Sequence, residues 1–360
     1  MGRILEIYRD VYKLAKVTKL NSGSTHSLFY FPVWEVLVTI TLVPVLHGCT
    51  PVLPADGVFA ATGVAVKTAV LSEAQTGIET LDILVFNDDM MQRLDCWQRF
   101  EDVSSDIFDT GSMSGKKVFF GCANATFGPE KWRPIGSLSG LYDIKADLER
   151  EKRGTPLMTG HLRCDAGSKG QTLKLKRLSG EVVLNSISCD FRGKPYDGEK
   201  ITDIKVYLTN VNASCSICTD GSVMPERVIN SGRLSEHDLE QFNEPDIICQ
   251  DMEYDIDKEV KYPYIRLLAY PNNSETESPG TPFTRLVIEG RIQGELWYWP
   301  IDINRDSPAP GISRNCSYIY DVTITAKGSK DPDTPVSFKE AVIKYEIEGW
   351  REKEDYTVSF

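Results

Sequence analysis

FTRLVIEGRIQGELWYW, residues 283–299, holds two runs in which apolar and polar side chains alternate, the two-residue period of a strand with one buried face. The runs 283–289 and 291–299 flank Gly290, so the stretch reads as two arms of a hairpin turning at that glycine. The same period recurs outward along the chain. LDILVF at 81–86 runs into Asn87-Asp88-Asp89, residues 117–120 run into Gly121, and LKLKRL at 173–178 runs into Ser179-Gly180. Ile204, Val206 and Leu208 share one face of ITDIKVYLTNV. Tyr318, Tyr320, Val322 and Ile324 alternate, as do Ile343, Tyr345 and Ile347, and finally Tyr356, Val358 and Phe360. Helical periodicity is confined to residues 140–152 and 234–242. Many short strands with few short helices imply an all-β protein built from β-sandwiches.

Gly167-Ser168-Lys169-Gly170 is polar and glycine-rich between two strand-dense blocks. It places one sandwich over residues 57–170 and a second over 171–360. Residues 57–71 (GVFAATGVAVKTAVL) are small and β-branched, which suits a strand added at the front of the first sheet.

Ahead of both blocks, residues 36–46 (VLVTITLVPVL) form an apolar run of signal-peptide length that stops at Leu46-His47-Gly48-Cys49. An aliphatic residue three before a cysteine and a small one directly before it suit lipoprotein signal peptidase. Leu46 and Gly48 meet that requirement, so residues 1–48 read as an unusually long signal peptide, Cys49 as the lipidated residue and 49–56 as a tether. The competing reading extends the apolar stretch back to Leu28 as a transmembrane anchor, which would carry Glu35 near its middle at a cost of a few kcal/mol. The lipoprotein reading is preferred, and it expects export and a membrane hold through lipid on Cys49.

The mature chain of roughly 300 residues is long enough for two ordinary cores. A net charge of -12 argues against nucleic acid as a partner, because no basic stretch longer than KLKR at 174–177 occurs after the leader. Of nine cysteines, Cys49 is assigned to lipid; the rest permit disulfides whose connectivity sequence does not define. Cys215-Ser216-Ile217-Cys218 lacks a second pair or a nearby histidine, so it reads as a local bridge or free thiols rather than zinc. No nucleophile elbow, phosphate-binding glycine loop or HExxH motif occurs. The acidic groups at Asp88-Asp89, at residues 251–257 and at Asp331-Pro332-Asp333 lack EF-hand spacing and read as exposed turns. The expectation is a non-enzyme with no cofactor and no metal. Trp297 and Trp299 share one strand face, which opens an alternative function as a surface glycan-binding lipoprotein, set against the plainer reading of core packing.

Several strings in order carry a resemblance: ETLDILVFNDD, QRLDCWQRFED, VYLTNVNASC, FTRLVIEGRIQG, then YDVTITAKGSKDPDTP and a terminal strand with Trp350. Together they resemble the fimbrial subunits of type V pili in Bacteroidales, closest to the fimbrillin-associated minor or anchor branch. The resemblance implies two transthyretin-like β-sandwiches, lipoprotein export to the outer membrane, a surface-exposed location in the fimbrium, other fimbrial subunits as partners, and assembly by strand exchange. A host or bacterial surface ligand is a further candidate partner. In stalk subunits of that family a protease cut frees the first strand, whereas an anchor keeps its lipidated strand, which is the reading preferred here. Lys67, the only basic residue between Cys49 and Arg93, is the candidate cut site, the alternative being a solvent-facing strand residue. Tyr356, Val358 and Phe360 form the candidate donor strand. They would otherwise close the second sandwich of their own molecule.

Overall fold

The computed structural model describes residues 63–65, 77–101, 103, 107–166, 168, 172–219, 221–336, 341–349 and 356–359; at 63–65, 107–109, 172, 349 and 356–359 it describes backbone alone. The first strands are β1 (Gly63–Ala65), β2 (Leu81–Asn87), β3 (Leu94–Phe100), β4 (Ile107–Asp109), β5 (Gly115–Ala123), β6 (Lys145–Asp147) and β7 (Met158–Ala166). There follow β8 (Thr172–Arg177), β9 (Gly180–Cys189), β10 (Thr202–Thr209), β11 (Val211–Asn212), β12 (Ser214–Ser216), β13 (Val228–Ile229) and β14 (Cys249–Asp251). The last are β15 (Ile265–Ala269), β16 (Arg285–Ile292), β17 (Glu295–Asp302), β18 (Cys316–Ile324), β19 (Ala341–Gly349) and β20 (Tyr356–Ser359). Among the described residues one short α-helix, α1 (Glu236–Leu239), starts at Ser235, whose hydroxyl accepts from the Asp238 N–H.

Three large sheets organise these strands. One runs β20-β8-β7-β5-β2-β3; the others run β14-β10-β16-β17 and β15-β9-β18-β19. Neighbours are antiparallel except β9 and β18, which are parallel. The two four-stranded sheets bury facing side chains in one cluster, Val206, Leu208, Ile288 and Trp299 against Val182, Leu184, Tyr318 and Tyr320. That is an all-β sandwich of the expected class.

The six-stranded sheet is covered on both faces, which is why LDILVF lacks polar positions except Asp82. Leu84 and Phe86 join the large cluster, while Leu81, Ile83 and Val85 point the other way into a separate one. Beyond Gly170, β8 returns to β7, pairing Met158 with Arg177 and Thr159 with Lys176.

Two expectations are corrected here. The hairpin of residues 283–299 exists as β16 and β17, but it turns at Gln293 and Gly294, both at positive φ (54° and 80°), and Gly290 sits mid-strand opposite Trp297. Close packing explains that glycine, because a Cβ on it would lie 2.4 Å from Ile201 Cγ2. The helical reading of 140–152 gives way to two 3-10 segments, Leu138–Asp143 and Leu148–Arg150, interrupted by β6. Pairing of β6 with β12 takes the backbone groups a helix would have used internally.

Candidate functional site

The site is built where β8 parts from β7. After the two pairs at Met158 and Thr159 the ladder ends at Gly160, where a Cβ would lie 1.9 Å from the Lys174 carbonyl oxygen. Gly160 pairs with Gly121 of β5, and a Cβ on Gly121 would lie 2.9 Å from Cδ2 of both Leu173 and Leu175. Two neighbouring glycines therefore leave a bare patch of backbone, and β8 lies across it. Leu173 and Leu175 close onto Leu81, Ile83, Val85, Phe119, Ala123 and Met158 in the second apolar cluster. Full burial of such a side chain contributes roughly 1.5–3 kcal/mol, so the patch anchors β8 firmly.

β20 is the strand beyond β8. Its register is Tyr356 with Leu175, Thr357 with Lys174, Val358 with Leu173 and Ser359 with Thr172. The C-terminal strand thus lies on the sheet of the first block and not in the second sandwich, whose β18 is already paired along its length by β19. Tyr356 and Val358 are described through their backbone. Leu46, Gly48, Cys49, Lys67 and Phe360 lie outside the described residues.

Burial places the two tryptophans in and against the core, as the plainer reading expects. Trp299 is fully buried and its indole Nε1–H donates to the Ala326 carbonyl at 3.0 Å. Trp297 is packed against the core, with Lys330 Nζ 3.5 Å and Lys327 Nζ 5.1 Å from its ring centroid. Neither offers a free face for sugar stacking.

The acidic turns serve local structure. Asp89 Oδ1 accepts from the N–H groups of Met91 and Gln92, and Asp257 accepts from Glu259 N–H, which with Lys261 and Lys200 lowers its pKa against opposing burial. Asp331 accepts from Asp333 N–H and the Thr334 hydroxyl. Among the described residues no group of three or more His, Cys, Asp or Glu side chains is arranged to hold a metal ion. All eight described cysteines are free thiols, including Cys215 and Cys218. Burial pushes the Cys249 thiol up to about 12 and that of Cys96 to about 11, so neither is poised as a nucleophile.

Two buried polar clusters escaped the sequence reading. Arg285 is 1% exposed and ion-pairs with Glu277, Asp302 and Asp333, tying β16 to β17 and to the loop ahead of β19. Glu151 is fully buried; its carboxylate accepts from Leu157 N–H and the Tyr270 hydroxyl, and burial raises its pKa to about 7 despite those bonds. A lone arginine in a strand and a lone glutamate after a turn carry no spacing that marks them beforehand.

No family model matches the sequence, and no curated protein matches it. Solved structures do share its fold. A fimbrilin (FimA) from Porphyromonas gingivalis aligns with a TM-score of 0.56 at 14% identity, covering 81% of this chain and 99% of that one. A Parabacteroides distasonis protein provisionally described as a cell adhesion protein aligns with a TM-score of 0.59 at 14% identity, over 80% of this chain and 96% of that one. A C-terminally truncated tip fimbrial protein from Porphyromonas gingivalis gives 0.50 at 14% identity, over 80% and 98%. At such identities the likeness establishes the all-β fold.

Proposed function

We propose that this chain is a structural subunit of a bacterial surface fimbria, assembled by β-strand donation, and the lipid-anchored or minor component that tethers the fibre to the outer membrane. The observation that carries the reading is the join between β20 and β8. A four-residue terminal strand completes a sheet edge beside an apolar layer already fixed by Gly121 and Gly160. Main-chain hydrogen bonds to such an edge are the same whichever molecule supplies the strand, so a strand from a neighbouring subunit can replace the chain's own. The fold shared with fimbrial and adhesion proteins supports the same class of partner. Lipid on Cys49 belongs to this proposal, as does the division into sandwiches at residue 170; an anchor keeps the strand that carries Cys49, so Lys67 stays uncut in it.

Deleting residues 356–360 tests the donation step. The expected result is a folded monomer that no longer joins fibres; normal fimbriation of the deleted chain would overturn the reading. Cys49→Ser tests the tether separately, since acyl chains contribute about 0.8 kcal/mol per buried CH₂ and their loss should release the protein from membranes. A processed, membrane-bound Ser variant would remove the anchor role while leaving the fimbrial one.

A further inference from the structure

Lys117 stands directly opposite Asn87 where β5 pairs with β2. Asn87 follows Leu81, Ile83 and Val85 on the face turned to the smaller apolar cluster, and Lys117 shares that face with Phe119. Burying an ammonium group beside such a layer is costly, yet Lys117 is only 2% exposed. Two side chains meet it. Its Nζ donates to Asn87 Oδ1 at 2.6 Å and to Asp95 Oδ2 at 2.8 Å.

Asp95 reaches the amine from a bulge. β2 and β3 pair Val85 with Cys96 but Phe86 with Leu94, so Asp95 is the extra residue of β3, a position that re-aims its side chain. The Met113 N–H donates to the same Oδ2 at 2.9 Å and holds the carboxylate in place. A lysine with one carboxylate alone is a buried ion pair, which contributes little to stability. The carboxamide changes the chemistry. With Oδ1 2.6 Å from Nζ and a C=O bond of about 1.2 Å, Asn87 Cγ lies at most about 3.8 Å from the amine, close to the separation of a reacting pair.

We propose that Lys117 and Asn87 join in an isopeptide cross-link, with Asp95 as the catalytic proton carrier. Asp95 takes a proton from the ammonium, which leaves two neutral partners and no charge to bury. The free amine then attacks Asn87 Cγ, and a bond forms between Nζ and Cγ. Asp95 passes its proton to Nδ2 and accepts the second amine proton as the Cγ–Nδ2 bond breaks, its electron pair leaving on nitrogen. The departing ammonia takes up the last proton. An ammonium side chain and a carboxamide thus become a secondary amide and free ammonium, so the step needs no oxidant or co-reactant. The link closes residues 87–117 into a covalent loop and ties β2 to β5 inside the six-stranded sheet. It does not depend on the fimbrial reading.

Peptide mapping of the folded full-length chain tests the link. Trypsin should yield a branched peptide joining residues 68–93 to residues 117–131, about 17 Da lighter than its two arms together because ammonia has left. Lys117→Met and Asp95→Asn should each abolish the branched species, the second while leaving both joined residues in place. Linear peptides 68–93 and 118–131 in its stead, from wild type that still melts cooperatively, would overturn the proposal. So would a branch carried by residues 94–99 and about 18 Da lighter, since Asp95 would then be the electrophile and water the leaving group. Full linking in Asp95→Asn would remove Asp95 from the step. The wild-type digest decides the cross-link itself even where a variant fails to fold.

Discussion

β19 and β20 are consecutive strands of similar alternating sequence, yet they are held in different ways. β19 pairs with β18 at nine successive positions, and Tyr345 stacks on the buried Tyr320 with ring centroids 5.7 Å apart. β20 pairs with β8 at four positions, beside a strand that has itself left the plane of its sheet. At a net 0.5–1.5 kcal/mol per hydrogen bond, the longer ladder is committed to its own sandwich while the shorter can be released by local opening. The contrast marks the edge on which the proposed strand exchange depends: the one whose ladder is short and whose apolar support persists when the strand leaves.

The largest expected effect comes from attacking that support. Gly160→Ala places a methyl 1.9 Å from a backbone carbonyl, so β8 has to move; Gly290→Ala in the second sandwich meets the Cγ2 methyl of Ile201 at 2.4 Å, a side-chain contact that a small shift of that residue relieves. Gly160→Ala should cost more than about 3 kcal/mol in denaturant unfolding and Gly290→Ala about 1–2 kcal/mol, as overpacking does. Equal costs at the two positions would mean that β8 does not depend on the bare patch.

A smaller effect tests the base on which both regions stand. Glu151 joins the chain ahead of β7, through Leu157, to Tyr270 at the end of β15. Its folded pKa of about 7 lies above the ordinary value of 4.5, so the folded state holds its proton more tightly than the unfolded chain. The stability it allows is fully present below about pH 4.5 and is lost as pH rises through about 7. The shift corresponds to a loss of about 3 kcal/mol as an order of magnitude. Glu151→Gln keeps an acceptor for Leu157 and removes the titration. Its unfolding free energy should vary less than wild type between those pH values and exceed wild type at pH 8. A variant with unchanged pH dependence would show that Glu151 stays charged in the fold.

Much of the sheet layout was legible because it follows from side-chain alternation. Ile204, Val206 and Leu208 share a buried face, and Tyr318, Tyr320, Val322 and Ile324 do the same. The hairpin turn was misplaced because Gln293-Gly294 lacks the usual Asn or Asp signal while Gly290 imitates a turn. The bare patch at Gly121 and Gly160 was not legible at all: two glycines far apart in sequence become one feature only after β5 and β7 pair. The site of β20 was open for the same reason. Alternation in Tyr356, Val358 and Phe360 says that a strand forms but not which edge receives it.

The smallest predicted effect sharpens the contrast between the two terminal strands. Tyr345 is 39% exposed, so its truncation loses less burial than a core residue would, and the main loss is its stack on Tyr320. Such pairs contribute about 0.5–1.5 kcal/mol beyond area, so Tyr345→Ala should lower stability by about 1 kcal/mol and speed amide exchange along β19. Exchange in β20 should not change, because its partner is β8 and its support is the cluster around Leu173 and Leu175. Measured residue by residue, the variant therefore asks whether the strands open separately. Equal acceleration of β19 and β20 would make them one cooperative unit, in which case the terminal strand could not leave β8 without unfolding the edge of the second sandwich.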